Sequence, residues 1–253
     1  MHDKCAIACH THRSTCRLGQ RSAQKGPPAL QQQPLKITHA RHTAGRVPPA
    51  ANILVRSMEI VILGAGGHGR AVCEAARDAG FRPRGFLDAR APLPAMLGLP
   101  VLGVESSHDG GPLLIALGSN ALRLGAAARL GCMLPVLLHP SVVRARSAEL
   151  AEGAIIMPRV VLGALARIGR LALVNTGAIV EHDVVLQAGA HVAPGAVLCG
   201  GVQVGERALI GAGAVIAPNV IIGADAVVAA GAAVMADVPA AGRVGGVPAR
   251  SVS

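Results

Sequence analysis

A bulky aliphatic residue occupies every sixth position from Leu150 to Val234 without a break. Four residues after each stands only Ala or Val, from Ala154 and Val160 through to Ala232 and Val238. Fifteen such hexads run in series as far as Pro239. A period of six matches neither the period of about 3.6 of a helix nor that of about 2 of an ordinary strand. It is the pattern of a parallel β-helix, in which three hexads close one triangular coil. The run gives five coils, and coils stacked at strand spacing make a prism roughly 24 Å long. Both repeated positions face inward, the second where the triangle is too narrow for anything larger than Val. Val184, Val202, Val220 and Val238, eighteen residues apart, are expected to stack on one face. The fourth position is Gly, Asn or Asp in eleven hexads: Gly153, Gly177, Asp183, Gly189, Gly195, Gly201, Gly213, Asn219, Asp225, Gly231 and Asp237. That is the expected corner, where φ turns positive and these residues tolerate it.

Aromatic residues are nearly absent, with two Phe and no Trp or Tyr. An aromatic-anchored core is excluded, and so is the base stacking that nucleic-acid binding uses. No apolar run reaches transmembrane length, so no membrane insertion is expected. The formal charge of +10 is misleading, because residues 1–57 hold nine Lys and Arg against one acid, Asp3. This leader has no periodicity, is rich in Pro and Gln, and lacks the apolar stretch of a signal peptide. It reads as a misassigned upstream extension before a start at Met58, or as a disordered basic tail. Cys5, Cys9, His10, His12 and Cys16 match no familiar zinc spacing. Cys73, Cys132 and Cys199 are scattered and odd in number, which fits a reducing cytoplasm and not a disulfide framework.

Residues 58–138 read as a small Rossmann-like α/β domain, and residues 139–253 as the β-helix domain. A strand over Ile60–Leu63 runs into Gly64-Ala65-Gly66-Gly67-His68-Gly69. A helix follows with Ala71, Val72, Ala75, Ala76 and Ala79 on its apolar stripe and Gly80 closing it. A strand ending at Leu87-Asp88, another near Pro100–Val104 and a third over Leu113–Gly118 precede a helix over Ala121–Leu130 and a strand over Val136–His139. Strands alternating with helices give a parallel sheet. The loop fits G-x-G-x-x-G through Gly64, Gly66 and Gly69. In that pattern helix N-terminal N–H groups cradle phosphate and a distal acid, here Asp88, meets a ribose hydroxyl. The pattern does not separate NAD from a sugar nucleotide.

His182 is the third residue of its hexad, just before a corner. Its neighbours one coil away are Ala164 and Gly200, which leave room beside the imidazole for a substrate. An unperturbed imidazole titrates at about 6.5 and can take a proton from an attacking amine or hydroxyl. Asp183 sits at a corner, where turn chemistry alone would explain it, and Glu181 is the rival carboxylate. His191, half a coil on, cannot easily meet His182 in one chain but can meet that of a neighbour. No Ser or Cys stands beside His182 as a nucleophile.

Several motifs together carry a family resemblance. They are Gly64-Ala65-Gly66-Gly67-His68-Gly69-Arg70, Phe86-Leu87-Asp88, Ala116-Leu117-Gly118-Ser119-Asn120, His139-Pro140-Ser141, Val174-Asn175-Thr176-Gly177, Val180-Glu181-His182-Asp183, His191-Val192-Ala193-Pro194-Gly195 and Gly246-Val247-Pro248-Ala249-Arg250. From about Met58 to Arg250 the chain resembles hexapeptide-repeat sugar O-/N-acyltransferases of the sialic-acid O-acetyltransferase and bacterial UDP-4-amino-sugar N-acetyltransferase type. The resemblance implies a left-handed coil, a homotrimer, acetyl-CoA as acyl donor in the groove between subunits, no metal, and a role in surface glycan synthesis. It implies His182 as general base with Asp183 as partner, and His191 near the acetyl thioester. Gly200, Ala212 and Ala230 are implied to line the coenzyme site. Gly66, Gly67, His68, Asp88 and Asn175 are implied to hold the nucleotide sugar. Ala89 departs from the pattern, since family members often have a second acid there. Two other readings are a trimeric scaffold that binds nucleotide sugar without catalysis, and a β-helical carbonic anhydrase. The latter needs three zinc-ligating His, and the repeat supplies only His182 and His191, with His139 before them.

Overall fold

The computed structural model describes residues 58–91 and 93–252, so the readings of residues 1–57 lie outside it. Strand β1 (Glu59–Leu63) buries every residue but Glu59. Burial on both faces marks the interior of a parallel sheet covered on both sides. It pairs in parallel with β2 (Arg82–Leu87) and β5 (Leu113–Ile115). Beyond β2 lie β4 (Leu99–Gly103), parallel to it, and the two-residue β3 (Ala95–Met96), giving the order β3-β4-β2-β1-β5.

The expected strand–helix alternation holds from β1 through helix α1 (Gly67–Asp78) to β2 and fails at the far edge. There β3 and β4 form an antiparallel hairpin through Leu97 and Gly98, with φ of 52° and 73°. Two consecutive positive φ values suit a two-residue hairpin turn. Helix α1 (Gly67–Asp78) buries Gly69, Val72, Cys73, Ala75 and Ala76. Ala71, expected on that stripe, is exposed and Cys73 takes its place. Positions 69, 72, 73 and 76 share one helical face, and 71 lies outside it. Helix α2 (Asn120–Leu130) begins at Ser119, whose Oγ accepts the Leu122 N–H, and ends at Gly131 with φ 55°.

Residues beyond α2 form the β-helix, with strands of two residues paired in parallel to those eighteen residues away. Three sheets of eight, six and five strands form its faces. The Ala/Val column from Ala154 to Val238 is buried throughout, as expected, with the larger aliphatics beside it. The solenoid also begins earlier than the sequence repeat, with Leu137–Leu138 and Val143–Arg144 as its first strands. The strand expected over Val136–His139 thus belongs to the β-helix and not to the α/β sheet, and Arg144, at an inward position, is why the aliphatic repeat starts only at Leu150. This arginine is tolerated because the first coil is open at its end, where Arg144 stays exposed and donates to the Ala148 carbonyl.

The corners form three edges. The first is Gly153, Leu171, Gly189, Arg207 and Asp225; the second Arg159, Gly177, Gly195, Gly213 and Gly231; the third Leu165, Asp183, Gly201 and Asn219. All have positive φ, including Arg159, Leu165, Leu171 and Arg207, whose residue types did not announce it. Asp237 does not adopt the expected positive φ. Its Oδ1 instead accepts the Ile221 N–H at 2.8 Å, where the chain leaves the regular register. The Gly246–Arg250 motif then closes the last coil, with Ala249 N–H on the Ala233 carbonyl and Gly246 O accepting Ala233 N–H.

The eight-stranded face lies between the first and second edges, and the α/β domain covers part of it. Leu137, Ile155 and Leu173 point outward there and share a buried cluster with Ile60, Val72 and Phe86. Helix α2 runs along the first edge. Asn120 donates to the Arg207 and Ala208 carbonyls, Arg123 to those of Leu171 and Gly189, and Leu134 O accepts the Gly153 N–H. A Cβ on Gly189 would stand 2.7 Å from Leu124 Cδ1, so glycine there lets the helix close on the edge. No described helix is long and apolar enough to cross a membrane.

Candidate active site

The Gly-rich loop is shaped by contacts only glycine permits. Gly64 has φ 105°, and a Cβ on it would lie 2.8 Å from the Ala116 carbonyl oxygen. A Cβ on Gly69 would overlap the Gly64 carbonyl. Gly66 and Gly67 differ, since open space surrounds both. The N–H groups of Gly67, His68 and Gly69 precede the first internal bond of α1, from Arg70 N–H to Gly66 O, and no side chain caps them. Such an uncapped helix start favours an anion. Asp88 has a structural task beside any ligand contact. Its Oδ2 accepts the Ala65 N–H and its Oδ1 the Arg90 N–H, both at 2.8 Å, so the carboxylate ties the loop to the end of β2.

His191 follows Leu173 in the outward row of the eight-stranded face, at the margin of the α/β domain. Asn175 Nδ2 lies 3.4 Å from His191 Nε2. His68 belongs to the same group. Burial, then the Arg123 guanidinium, then His68, pushes His191 down to about 4. Burial and Arg123 likewise lower His68, whose Nε2 is buried without a hydrogen-bond partner among the described residues. Both rings are therefore neutral near pH 7. The tertiary structure thus gathers His68, Asn175 and His191, assigned to two different ligands in the sequence, at one junction.

Arg123 completes that junction and was not singled out from the sequence. Its side chain is 1% exposed. Nε donates to Leu171 O at 2.9 Å, Nη1 to Leu117 O at 2.9 Å, and Nη2 to Gly189 O at 2.9 Å and Asn120 Oδ1 at 3.0 Å. The sequence held one signal. Helical phasing puts position 123 on the stripe of Ala126 and Ala127, so a charged residue lies on a buried face.

His182 lies elsewhere, on the third edge. Its Nδ1 bonds Asp183 Oδ2 at 2.8 Å, so Asp183 and not Glu181 holds the ring. Both side chains are more than half exposed. On the Gly200 side the room expected beside the imidazole is taken by the ring itself. A Cβ on Gly200 would collide with His182 Cε1 and Nε2. Ala212 and Ala230 are exposed on successive coils beside the second edge, joined by the Gly231 N–H to Ala212 O bond at 2.8 Å. Within one chain they do not meet His182 or Gly200. Three faces make a triangular section, so the third edge stands opposite the face that carries His191. A hollow of about 270 Å³ between the start of α2 and the first edge, lined by Ser119, Asn120, Arg207 and Asp225, does not include His182. Among the described residues no three His, Cys, Asp or Glu side chains converge on one point.

The family model for the PglD N-terminal domain matches residues 59–130, and that for the bacterial transferase hexapeptide (six repeats) matches residues 201–235. The acetyltransferase domain of PglB from Neisseria gonorrhoeae FA1090, solved with acetyl coenzyme A, is 34% identical with a TM-score of 0.74, covering 78% of this chain and 100% of that one. A mutant of GDP-perosamine N-acetyl transferase from Caulobacter crescentus, in complex with CoA and GDP-perosamine, is 42% identical with a TM-score of 0.73, covering 77% and 97%. WeeI from Acinetobacter baumannii AYE is 28% identical with a TM-score of 0.70, covering 78% and 100%.

Proposed function

Because this chain belongs to the family of bacterial hexapeptide-repeat sugar acyltransferases with a PglD-type N-terminal domain, we propose that it transfers acetyl from acetyl-CoA to an amino group of a nucleotide-linked sugar. The observation that carries this reading is the His182–Asp183 pair on an open edge. A carboxylate at 2.8 Å from Nδ1 fixes the ring so that Nε2 is the basic nitrogen. The Caulobacter relative, 42% identical, was solved with both CoA and GDP-perosamine bound, which matches a two-substrate site.

In this mechanism the uncapped start of α1, with Gly66, Gly67 and His68, binds the diphosphate, and Asn175 lies by the sugar. His182 Nε2 takes the proton as the acceptor nitrogen attacks the thioester carbonyl carbon. A backbone N–H of the coil stabilises the oxyanion. The C–S bond breaks and the proton on His182 passes to the departing thiolate. Neutral His191 faces the acetyl group. Gly200, Ala212 and Ala230 line the groove for the coenzyme.

The site needs more than one copy of the chain. The third edge of one β-helix carries His182, while His68, Asn175 and His191 lie on the opposite face. A homotrimer of parallel prisms brings the third edge of one copy to the His191 face of the next. The work of such an enzyme falls in surface glycan assembly in the cytoplasm, where acetyl-CoA and sugar nucleotides are both available.

The test is acetylation of a panel of nucleotide-linked 4-amino-sugars, followed by mass spectrometry. The expected product is heavier by one acetyl group. It is lost in His182→Ala, which keeps its fold and oligomeric state. Turnover near normal in His182→Ala rules out the assigned base. Product only on hydroxyl sugars moves the acceptor from amine to hydroxyl. Nucleotide-sugar binding without any coenzyme binding favours the scaffold reading.

A further inference from the structure

Arg123 is a buried cation whose partners are all neutral: three main-chain carbonyls and the Asn120 amide. Desolvation lowers its pKa only to about 10, so it stays charged at neutral pH. Burying a charge without a counter-ion is costly, and an apolar side chain would dock a helix with less desolvation. The guanidinium supplies direction instead, through a planar fork of donors with fixed geometry. Two of its acceptors, Leu171 O and Gly189 O, are corner carbonyls one coil apart on the first edge. A third, Leu117 O, follows Ala116, whose carbonyl packs on Gly64 of the Gly-rich loop. One side chain thus ties α2 to the β-helix and to the Ala116–Leu117 segment on which the Gly-rich loop packs.

We propose that Arg123, seconded by Asn120, is a positioning residue for acyl transfer: it fixes the Gly-rich loop and His68 relative to His191 and Asn175, so that acceptor and acyl donor meet in register. The proposal rests on the transfer reading above. Asn120 contributes at the next coil by donating to Arg207 O at 2.7 Å. The charged and titratable groups that act on His191 are Arg123 from α2 and His68 from α1, and Asn175 from the preceding coil lies 3.4 Å from its Nε2.

The test uses the full chain with Arg123→Met and Arg123→Lys. Measurements are CoA binding by calorimetry, kcat and KM for the nucleotide amino-sugar, and NMR titration of the His191 ring. In Arg123→Met, CoA affinity is expected to hold within about twofold while kcat falls on the order of 100-fold, the cost of a misplacement near 1 Å. KM for the sugar changes less than kcat. The His191 ring titrates at higher pH than in the wild type, and Arg123→Lys returns that titration and part of kcat. Wild-type kcat in Arg123→Met overturns the proposal. So does a kcat that falls only with the folded fraction while the His191 titration stays put. If Arg123→Met does not fold, Asn120→Ala replaces it; a several-fold loss of kcat supports the proposal and an unchanged kcat overturns it. If the wild-type chain acetylates no acceptor, the transfer reading fails. Amide hydrogen exchange in α2 and the Gly-rich loop then decides the positioning claim alone: faster exchange in Arg123→Met at an unchanged melting temperature supports it, and unchanged exchange overturns it.

Discussion

The imidazole of His182 rests where the side chain of residue 200 would begin, and Gly200 is what makes that seat possible. The two residues are eighteen apart, so the coil repeat stacks the glycine against the histidine. Asp183 then holds the ring at Nδ1. The base proposed for this exposed edge is positioned by one hydrogen bond and one missing side chain.

Gly200→Ala tests that seat. Gly200 is not among the positive-φ residues, so alanine brings no backbone strain. The clash is with a ring that can rotate away. The melting temperature is expected to stay within a few degrees while kcat falls on the order of tenfold or more, because the displaced ring loses its proton-transfer geometry. A kcat equal to wild type, measured beside the melting curve, would mean that the ring orientation seen here is not the working one.

Asp183→Asn separates the two tasks of that residue. Asn tolerates the φ of 59° but removes the carboxylate from Nδ1. We expect stability close to wild type and a drop in kcat of roughly 10- to 100-fold. Glu181→Gln, by contrast, is expected to change kcat by no more than about twofold. Steady-state kinetics on the two variants decide between the carboxylates; the reverse ranking would assign the orienting role to Glu181.

Acid should destabilise the fold through His191. Its folded pKa of about 4 lies below the ordinary histidine value of 6.5. Between those values the unfolded chain binds a proton that the folded chain refuses. The stabilisation is whole above 6.5 and is lost as pH falls through about 4. His68, also lowered, acts in the same direction. Urea unfolding across that window should show falling stability, with a shallower slope in His191→Gln. Equal slopes in the two proteins would mean that His191 is not held neutral by the junction.

Arg159 adopts φ 60° at an exposed corner of the second edge. A left-handed conformation costs an L-residue roughly 1–2 kcal/mol, part of which glycine returns as lost chain entropy. Arg159→Gly is therefore expected to raise stability by about 0.5–1 kcal/mol. Chemical denaturation measures it, and a destabilised variant would show that the arginine side chain contributes more than the strain costs.

The hexad repeat dictated the β-helix because its chemistry is local. An aliphatic and a small residue at fixed spacing can be buried together only if the chain turns every six residues. Gly, Asn and Asp marked most corners for the same reason, and the G-x-G-x-x-G loop was legible because Gly64 and Gly69 admit no side chain. Arg159, Leu165, Leu171 and Arg207 turn left-handed without a residue type to announce it, since stacking between neighbouring coils enforces the corner. Arg144 breaks the aliphatic column in the first coil, and Asp237 ended the repeat in a way its residue type did not show. The candidate site was readable as separate motifs and not as a place. His68, Arg123, Asn175 and His191 come together only when α2 docks on the first edge through carbonyls 48 and 66 residues from Arg123. Composition and spacing fix which residues can turn, bury or titrate. Which of them share one half-buried junction beside the Arg123 guanidinium is decided by packing between two domains, a long-range matter on which no local pattern bears.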